Sequence, residues 1–406
     1  MSVSARVTKI IDDVRASYWF IPAVLVVCAM IVAQASIVVD RNPDIALLKL
    51  NFLATSVSVD GARAVLSVIA QSVIGVAGVM FSITMVAVTF ASGQYGPRLI
   101  GNFMRDRGNQ WSLGILISTF TYSLLILRAV QSPQGIDVDM FVPQVSIFIA
   151  LSLALVSVFT VIYHVHHVPE TISVSNIIAA LGKRLIADLQ GMVSAPPKSD
   201  ALTEDDQQYV DISMHTAGYV HAIAAVRLAE LSADRGWTVQ VLAEPGAFVH
   251  SEIAMLRIWG NGDVSDEDRS DLRQCVALGH SKTEDQNVLF VVEQLVEIVG
   301  RAMSPGINDP FTAISCMQWL EAGVSVVAKH NDDLSIIDQD AVIAARISFK
   351  RLLDHSLGNC VPYVCGDVLA RAELERLLEQ LCRNSTDENK PMVRELISRV
   401  KSYELR

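Results

Sequence analysis

Apolar residues along this chain fall into two regimes. Up to about residue 164 they form four long, nearly unbroken runs, Trp19–Val39, Ala64–Phe90, Ser112–Val130 and Pro143–His164. Each can cross a hydrocarbon core of about 30 Å, which takes roughly 20 helical residues. The first run is a full span without a clear small-residue cleavage site, so a removed signal peptide is not expected. After residue 168 the pattern changes. Pro169–Gly191 predicts an amphipathic helix, with Lys183, Arg184 and Asp188 opposite Ile177, Ile178, Leu181 and Leu185. Ser194–Asp206, with Pro196 and Pro197, is the clearest linker. Alternation at Val210, Ile212 and Met214 and at Trp237, Val239 and Val241, with a turn at Glu244-Pro245-Gly246, predicts strands around a helix at Ala224–Asp234. From Ser265, with Asp268 three residues on as a capping box, helices are expected over Asp285–Met303, Pro310–His330, 339–356, 367–383 and 387–404. The fold class expected is a polytopic α-helical membrane protein of four transmembrane helices with a large cytoplasmic α+β domain. Its expected parts are a membrane domain over 1–168, a juxtamembrane helix and linker over 169–206, a small β-rich unit over 207–262 and a helical domain over 263–406.

Composition agrees with partial solvation by lipid. The chain is 51% hydrophobic and 18% charged, where soluble domains run near about a quarter charged; its mean hydropathy is +0.39. Residues 1–170 hold ten Lys/Arg and nine Asp/Glu, and the remainder holds 22 and 34, so the net −11 belongs to the C-terminal part. No stretch has the basic clustering that phosphate neutralisation needs, which excludes a nucleic-acid partner. Positive residues alternate in side along the runs. Arg6, Lys9 and Arg15, then Arg98, Arg105 and Arg107, then Lys183 and Arg184 share one side, against loops poorer in positive charge that hold Asp40, Arg41, Asp44, Lys49, Asp60 and Arg63 in one and Asp137 and Asp139 in the other. That bias predicts a bacterial inner-membrane protein with both termini cytoplasmic. Tyr18, Trp19 and Trp111 sit where interfacial anchors belong.

Two runs carry stripes. Gln71, Gly75, Gly78, Ser82, Met85 and Thr89 recur at steps of three and four in the second, opposite bulky Ile69, Val73, Val76, Val79, Ile83 and Val86. Ser146, Ala150, Leu153, Ser157, Thr160, His164 and His167 do the same in the fourth. Small and hydroxylated residues allow close helix packing; they also line water-filled paths. Acidic residues are absent from all four runs, which weakens a proton-coupled carrier more than a passive pore. Ser157, Thr160, His164, His167 and Glu170 would lie at the cytoplasmic mouth. His164, His167 and Glu170, at steps of three, could hold a divalent metal or form a pH-sensitive collar. Pro169 disturbs a regular helix there, so structural histidines are the stronger expectation.

The turn Ser304-Pro305-Gly306-Ile307-Asn308-Asp309-Pro310 stops one helix and starts the next, with Asp309 as N-cap and Pro310 at the first helical position. Gly306, Asn308 and Asp309 are the residue types a tight turn demands, and a positive φ at Gly306 would make that glycine hard to replace. The alternative is an anion site built from Arg301 and amides after Asp309, with Ser304 at its edge. No Walker, HExxH, GxSxG or dinucleotide fingerprint is present. Cys360-x4-Cys365 near His355 lacks an ordinary zinc spacing and reads as a turn with two half-buried thiols. Neither an enzyme nor a cofactor or metal is expected.

Five segments resemble one family. "RAMSPGINDPFTA" (Arg301 to Ala313), "FSITMVAVTFASGQYGPRL" (Phe81 to Leu99), "GYVHAI", "EPGAFV" and the His166-His167 pair are similar to the bacterial integral-membrane family called domain of unknown function 2254. Lys282 stands where that family often has Arg. "EPGAFVHSEIAMLRI" also resembles the hairpin of a biotinyl/lipoyl-type barrel, without a Lys at the tip. The resemblance implies a membrane protein and carries no catalytic or ligand residue. What remains is a homo-oligomer in the lipid bilayer, acting as an ion channel or permeability pathway for a small ion or anion and gated by its cytoplasmic domain. The other reading is a non-conducting sensor or scaffold whose soluble domain binds a ligand or partner protein.

Overall fold

The computed structural model describes residues 17–42, 58–96, 106–131, 141–194, 209–260, 264–283, 286–335, 339, 341–344 and 346–403. They form two compact units that divide between Ser173 and Val174. Of the expected linker Ser194–Asp206, Ser194 is helical and 195–206 lie outside the described residues, as do Arg6, Lys9, Arg15, Asp44, Lys49, Arg98, Arg105, Asp137 and Asp139.

Among the described residues the first unit comprises four helices: α1 Phe20–Arg41, α2 Val59–Tyr95, α3 Arg107–Ala129 and α4 Gln144–Ile172. Ser58 and Asp106 start α2 and α3 by accepting the amides of Gly61 and Asn109, the N-cap arrangement. Helix α3 packs against the other three, and its buried Leu116, Tyr122 and Ile126 join Ala29 and Ala33 of α1 in one core. Helix α2, 37 residues long, outruns the span expected over 64–90. It packs through Leu66, Ile69, Val73, Ala77, Met80, Thr84, Val88 and Ala91, a single stripe at steps of three and four. Val76, Val79, Ile83 and Val86 of the expected bulky face are exposed instead. Helix α4 also runs further than the sequence suggested. It passes through Pro169 to Ile172, because a proline in the last turn removes one donor and the Ser173 amide still closes onto the carbonyls of Pro169 and Glu170.

The second unit opens with α5 Val174–Ser194. This helix packs against α8 Val288–Ala302 and α9 Pro310–Ala328. Between them lie β1 Tyr209–Ser213, β2 Gly218–Ile223, α6 Ala225–Arg235, β3 Thr238–Val241, β4 Phe248–Val249, β5 Ala254–Trp259, α7 Asp266–Gln274 and β6 Val276–Gly279. The Ser265–Asp268 capping box is present. After α9 come β7 Leu334–Ser335, β8 Val342–Ile343, β9 Arg346–Ile347, α10 Phe349–Leu353, a π-helical turn at Asp354–Gly358, α11 Asn359–Val364, α12 Val368–Asn384 and α13 Lys390–Lys401.

Two features depart from expectation. The β-rich part is not closed over 207–262. The sheets run β1-β5-β3-β8 and β4-β2-β6, and Leu272, Cys275, Val276 and Val342 share the core of Ile212 and Leu256. The stretch 339–356 is no single helix either: Val342 pairs in parallel with Val239, and α-helix begins only after the Ser348 cap. Pairing partners a hundred residues away decide this, and local periodicity does not record them. Cys360 and Cys365 are both buried rather than half-buried in a turn. Burial pushes the Cys360 thiol up to about 12 and the Cys275 thiol up to about 11, so neither supplies thiolate at neutral pH.

Five of the described helices are long and apolar enough to cross a membrane, α1 to α4 and α9.

Candidate functional site

Helix α4 is bound to its neighbours by hydroxyl, carboxylate and imidazole groups along one face. At its start Pro143 offers no capping side chain, so its first amides need an outside acceptor. Asp40, near the end of α1, supplies it. Its carboxylate accepts from the Val145 amide at 2.9 Å, the Ser146 amide at 3.0 Å and the Ser146 hydroxyl at 2.6 Å. Ser146 Oγ also lies 3.0 Å from Ser36 Oγ, while Tyr122 Oη donates to the Ser146 carbonyl at 3.1 Å. Halfway along, Ser157 Oγ donates to Thr119 Oγ1 at 3.1 Å.

At the far end Asp106 does double duty. It caps α3 and meets His167 Nε2 at 2.9 Å, and the imidazole stacks on Tyr163 with centroids 4.9 Å apart. Gly108 makes room for that ring, since a Cβ there would run into His167. Thr84 donates its hydroxyl proton to the Met80 carbonyl, so it accepts from His164 Nε2, 3.3 Å away. That leaves His164 Nδ1 as the acceptor nitrogen. It and Asn109 Oδ1 are buried without a hydrogen-bond partner among the described residues.

The fourth-run stripe therefore packs inside the chain, with Ser146, Ala150, Ser157, Thr160 and His164 buried. His164, His167 and Glu170 do not converge. They face Thr84, Asp106 and His166 respectively, the last pair 3.3 Å apart and largely exposed. Within the chain these three side chains therefore do not share one centre. Among the described residues no three of His, Cys, Asp or Glu gather around a possible ion.

The second-run stripe behaves oppositely. Gln71, Gly75, Gly78, Ser82 and Thr89 are exposed and Met85 is half-buried. A Cβ on Gly75 or Gly78 would meet nothing within 4 Å. Ser82 and Thr89 return their hydroxyls to the carbonyls of Gly78 and Met85 at 2.9 and 2.8 Å.

In the 304–309 turn the polar groups serve the turn itself. The Asp309 amide donates to the Ala302 carbonyl and the Asn308 amide to the Ser304 carbonyl, and Ser304 Oγ donates to the Arg301 carbonyl at 2.6 Å. Arg301 lies 3.5 Å from Glu297. Asp309 accepts from the Thr312 amide at 3.1 Å and the Thr312 hydroxyl at 2.6 Å; its own carboxylate thus stands where an anion would bind. The positive φ belongs to Asn308, at 49°, and not to Gly306, whose Cβ position is open. Asp309→Ala is expected to cost about 1 kcal/mol, and Gly306→Val to be tolerated. The Thr312 hydroxyl holds the Asp309 carboxyl below its usual range. The cap therefore contributes fully above the ordinary carboxylate pKa and fades as pH falls through the lowered folded value. Melting curves of wild type and Asp309→Ala should converge there; equal stability at neutral pH would refute the capping role.

Sequence reading missed Asp40, Ser36, Tyr122, Thr84, Thr119 and Asp106 as members of this network. Only Asp106 had a local signal, an N-cap residue before an apolar run.

Apolar helices of spanning length, joined by polar contacts along their packed faces, define a helical membrane protein. The chain belongs to the family described as "Predicted membrane protein (DUF2254)", which matches over residues 15–380. It is 30% identical over 351 residues to an uncharacterized protein of Mycobacterium bovis and to one of Mycobacterium tuberculosis, covering 80% of this chain. The match takes in 63% of those relatives' length. No solved structure matches the chain.

Proposed function

We propose a non-enzymatic, homo-oligomeric protein of the bacterial inner membrane that crosses four times through α1 to α4, with both termini cytoplasmic. Its copies meet around the open face of α2 and enclose a path for a small ion, gated by the second unit. Gln71 carries this reading. It lies exposed on an apolar helix, on the same face as Gly75, Gly78, Ser82 and Thr89. An amide turned to hydrocarbon without a partner costs on the order of 2–7 kcal/mol, whereas a second copy or a water-filled path satisfies it. The two bare glycines permit the close backbone approach that membrane helix contacts favour.

Helix α9 is assigned to the soluble unit. It packs against α5, α8 and α12, buries Glu321 and bonds Gln318 to Glu373 at 2.9 Å, contacts that suit a protein core rather than lipid.

One observation favours the non-conducting scaffold instead: Ser82 and Thr89 bond to their own helix, leaving few hydroxyl protons for a path. Purified Gly78→Leu separates the two. Loss of ion flux at unchanged oligomer size is expected for a path; dissociation of the subunits indicates a packing contact. Wild-type protein that passes no common ion at any voltage or pH overturns conduction.

A further inference from the structure

We propose that the end of the second unit's helical bundle that carries the 304–309 turn seats in the headgroup layer of the bilayer. Ile307, Phe311, Tyr363, Val368 and Leu369 are its apolar contact. All five are open to solvent in the single chain, Val368 at 83% and Phe311 at 70%.

Helix directions bring them together. Helices α9 and α12 run parallel, because Gln318 meets Glu373 near the middle and the Thr386 amide meets the Ala328 carbonyl at the far end. Their first turns, with Phe311, Val368 and Leu369, therefore share one end. Tyr363 packs at that end too, 3.2 Å from where a Cβ on Gly300 would stand, just before α8 enters the turn.

Helix α5 fixes the end at which the chain enters this bundle. Gly182 abuts Trp319, and a Cβ on Gly323 would come within 2.8 Å of Leu185, so α5 runs parallel to α9 and Val174 is level with Phe311. Only Ser173 separates Val174 from α4. The apolar rim is thus at the end of the bundle from which the chain continues into its most apolar helix. Aromatic and aliphatic side chains at such a level partition into the membrane interface. A second copy has no comparable link to this end.

The inference rests on α4 being a span, and the test separates the two. Full-length protein with Cys28→Ser and Cys382→Ser, reconstituted in phosphatidylethanolamine–phosphatidylglycerol vesicles, is spin-labelled at one new cysteine: Phe311→Cys, Val368→Cys, Leu155→Cys or Val226→Cys. Leu155 is exposed on α4 and Val226 on α6. Collision with oxygen and with a water-soluble nickel chelate is then measured. Nickel access at 311 and 368 several-fold below that at 226, with oxygen access rising toward that at 155, supports docking. Values at 311 and 368 equal to those at 226 overturn it. So does spin–spin broadening at 311 that vanishes on dilution with unlabelled protein, which would place a second copy there. An aqueous signal at 155 removes the span, and the docking inference falls with it.

Discussion

Asp40→Ala is expected to lower the unfolding temperature of the detergent-solubilised protein by several degrees. The substitution strips the acceptor from two amides and a hydroxyl at the start of α4. Hydrogen bonds to a charged group contribute roughly 1.5–3 kcal/mol each, less where water can substitute. With Asp40 half-buried, the net loss is about 2–3 kcal/mol. Asp40→Asn keeps one carboxamide oxygen and should fall between. Thermal melts following tryptophan fluorescence check this, and an unchanged Asp40→Ala protein would show that the contact contributes nothing.

Gly182→Leu should be damaging to a comparable degree. Even a Cβ at this place in α5 runs into the Trp319 ring of α9, and both helices are packed into the core of the second unit. Overpacking of this kind costs about 1–3 kcal/mol and sometimes more. Gly191 on the same helix faces open space, so Gly191→Ala is the control, expected to gain about 0.5–1 kcal/mol from helix propensity. Chemical denaturation of both variants decides it. Equal stability would mean that α5 does not pack on α9 as described.

Long apolar runs were legible in the sequence because roughly 20 consecutive apolar residues have few other fates. Caps were legible too, since Ser265 and Asp309 act on amides two or three residues away. What could not be read were contacts that depend on a distant partner. Asp40 looked like an ordinary loop carboxylate because the amides it caps lie 105 and 106 positions further on. The two stripes looked alike, yet one is buried and the other open. Periodicity gives a helix its faces without naming the neighbour, and α1, α2 and α3 together happen to cover the face of α4. Helix α9 illustrates the converse limit. Its composition passes as a span, and only its packing against α5, α8 and α12 argues otherwise.

The length of α2 has a consequence for where the protein can work. Its 37 residues extend about 55 Å, against about 40–45 Å for a bilayer with its headgroups. With α2 as a span, the excess is absorbed by tilt or by projection into water. Longer or shorter acyl chains change that tilt, and with it the angle at which Gln71, Gly75 and Gly78 are presented. For the contact proposed on this face, bilayer thickness thereby becomes an input to assembly, and the acyl-chain length of the host vesicle should be varied deliberately when flux or oligomer size is measured.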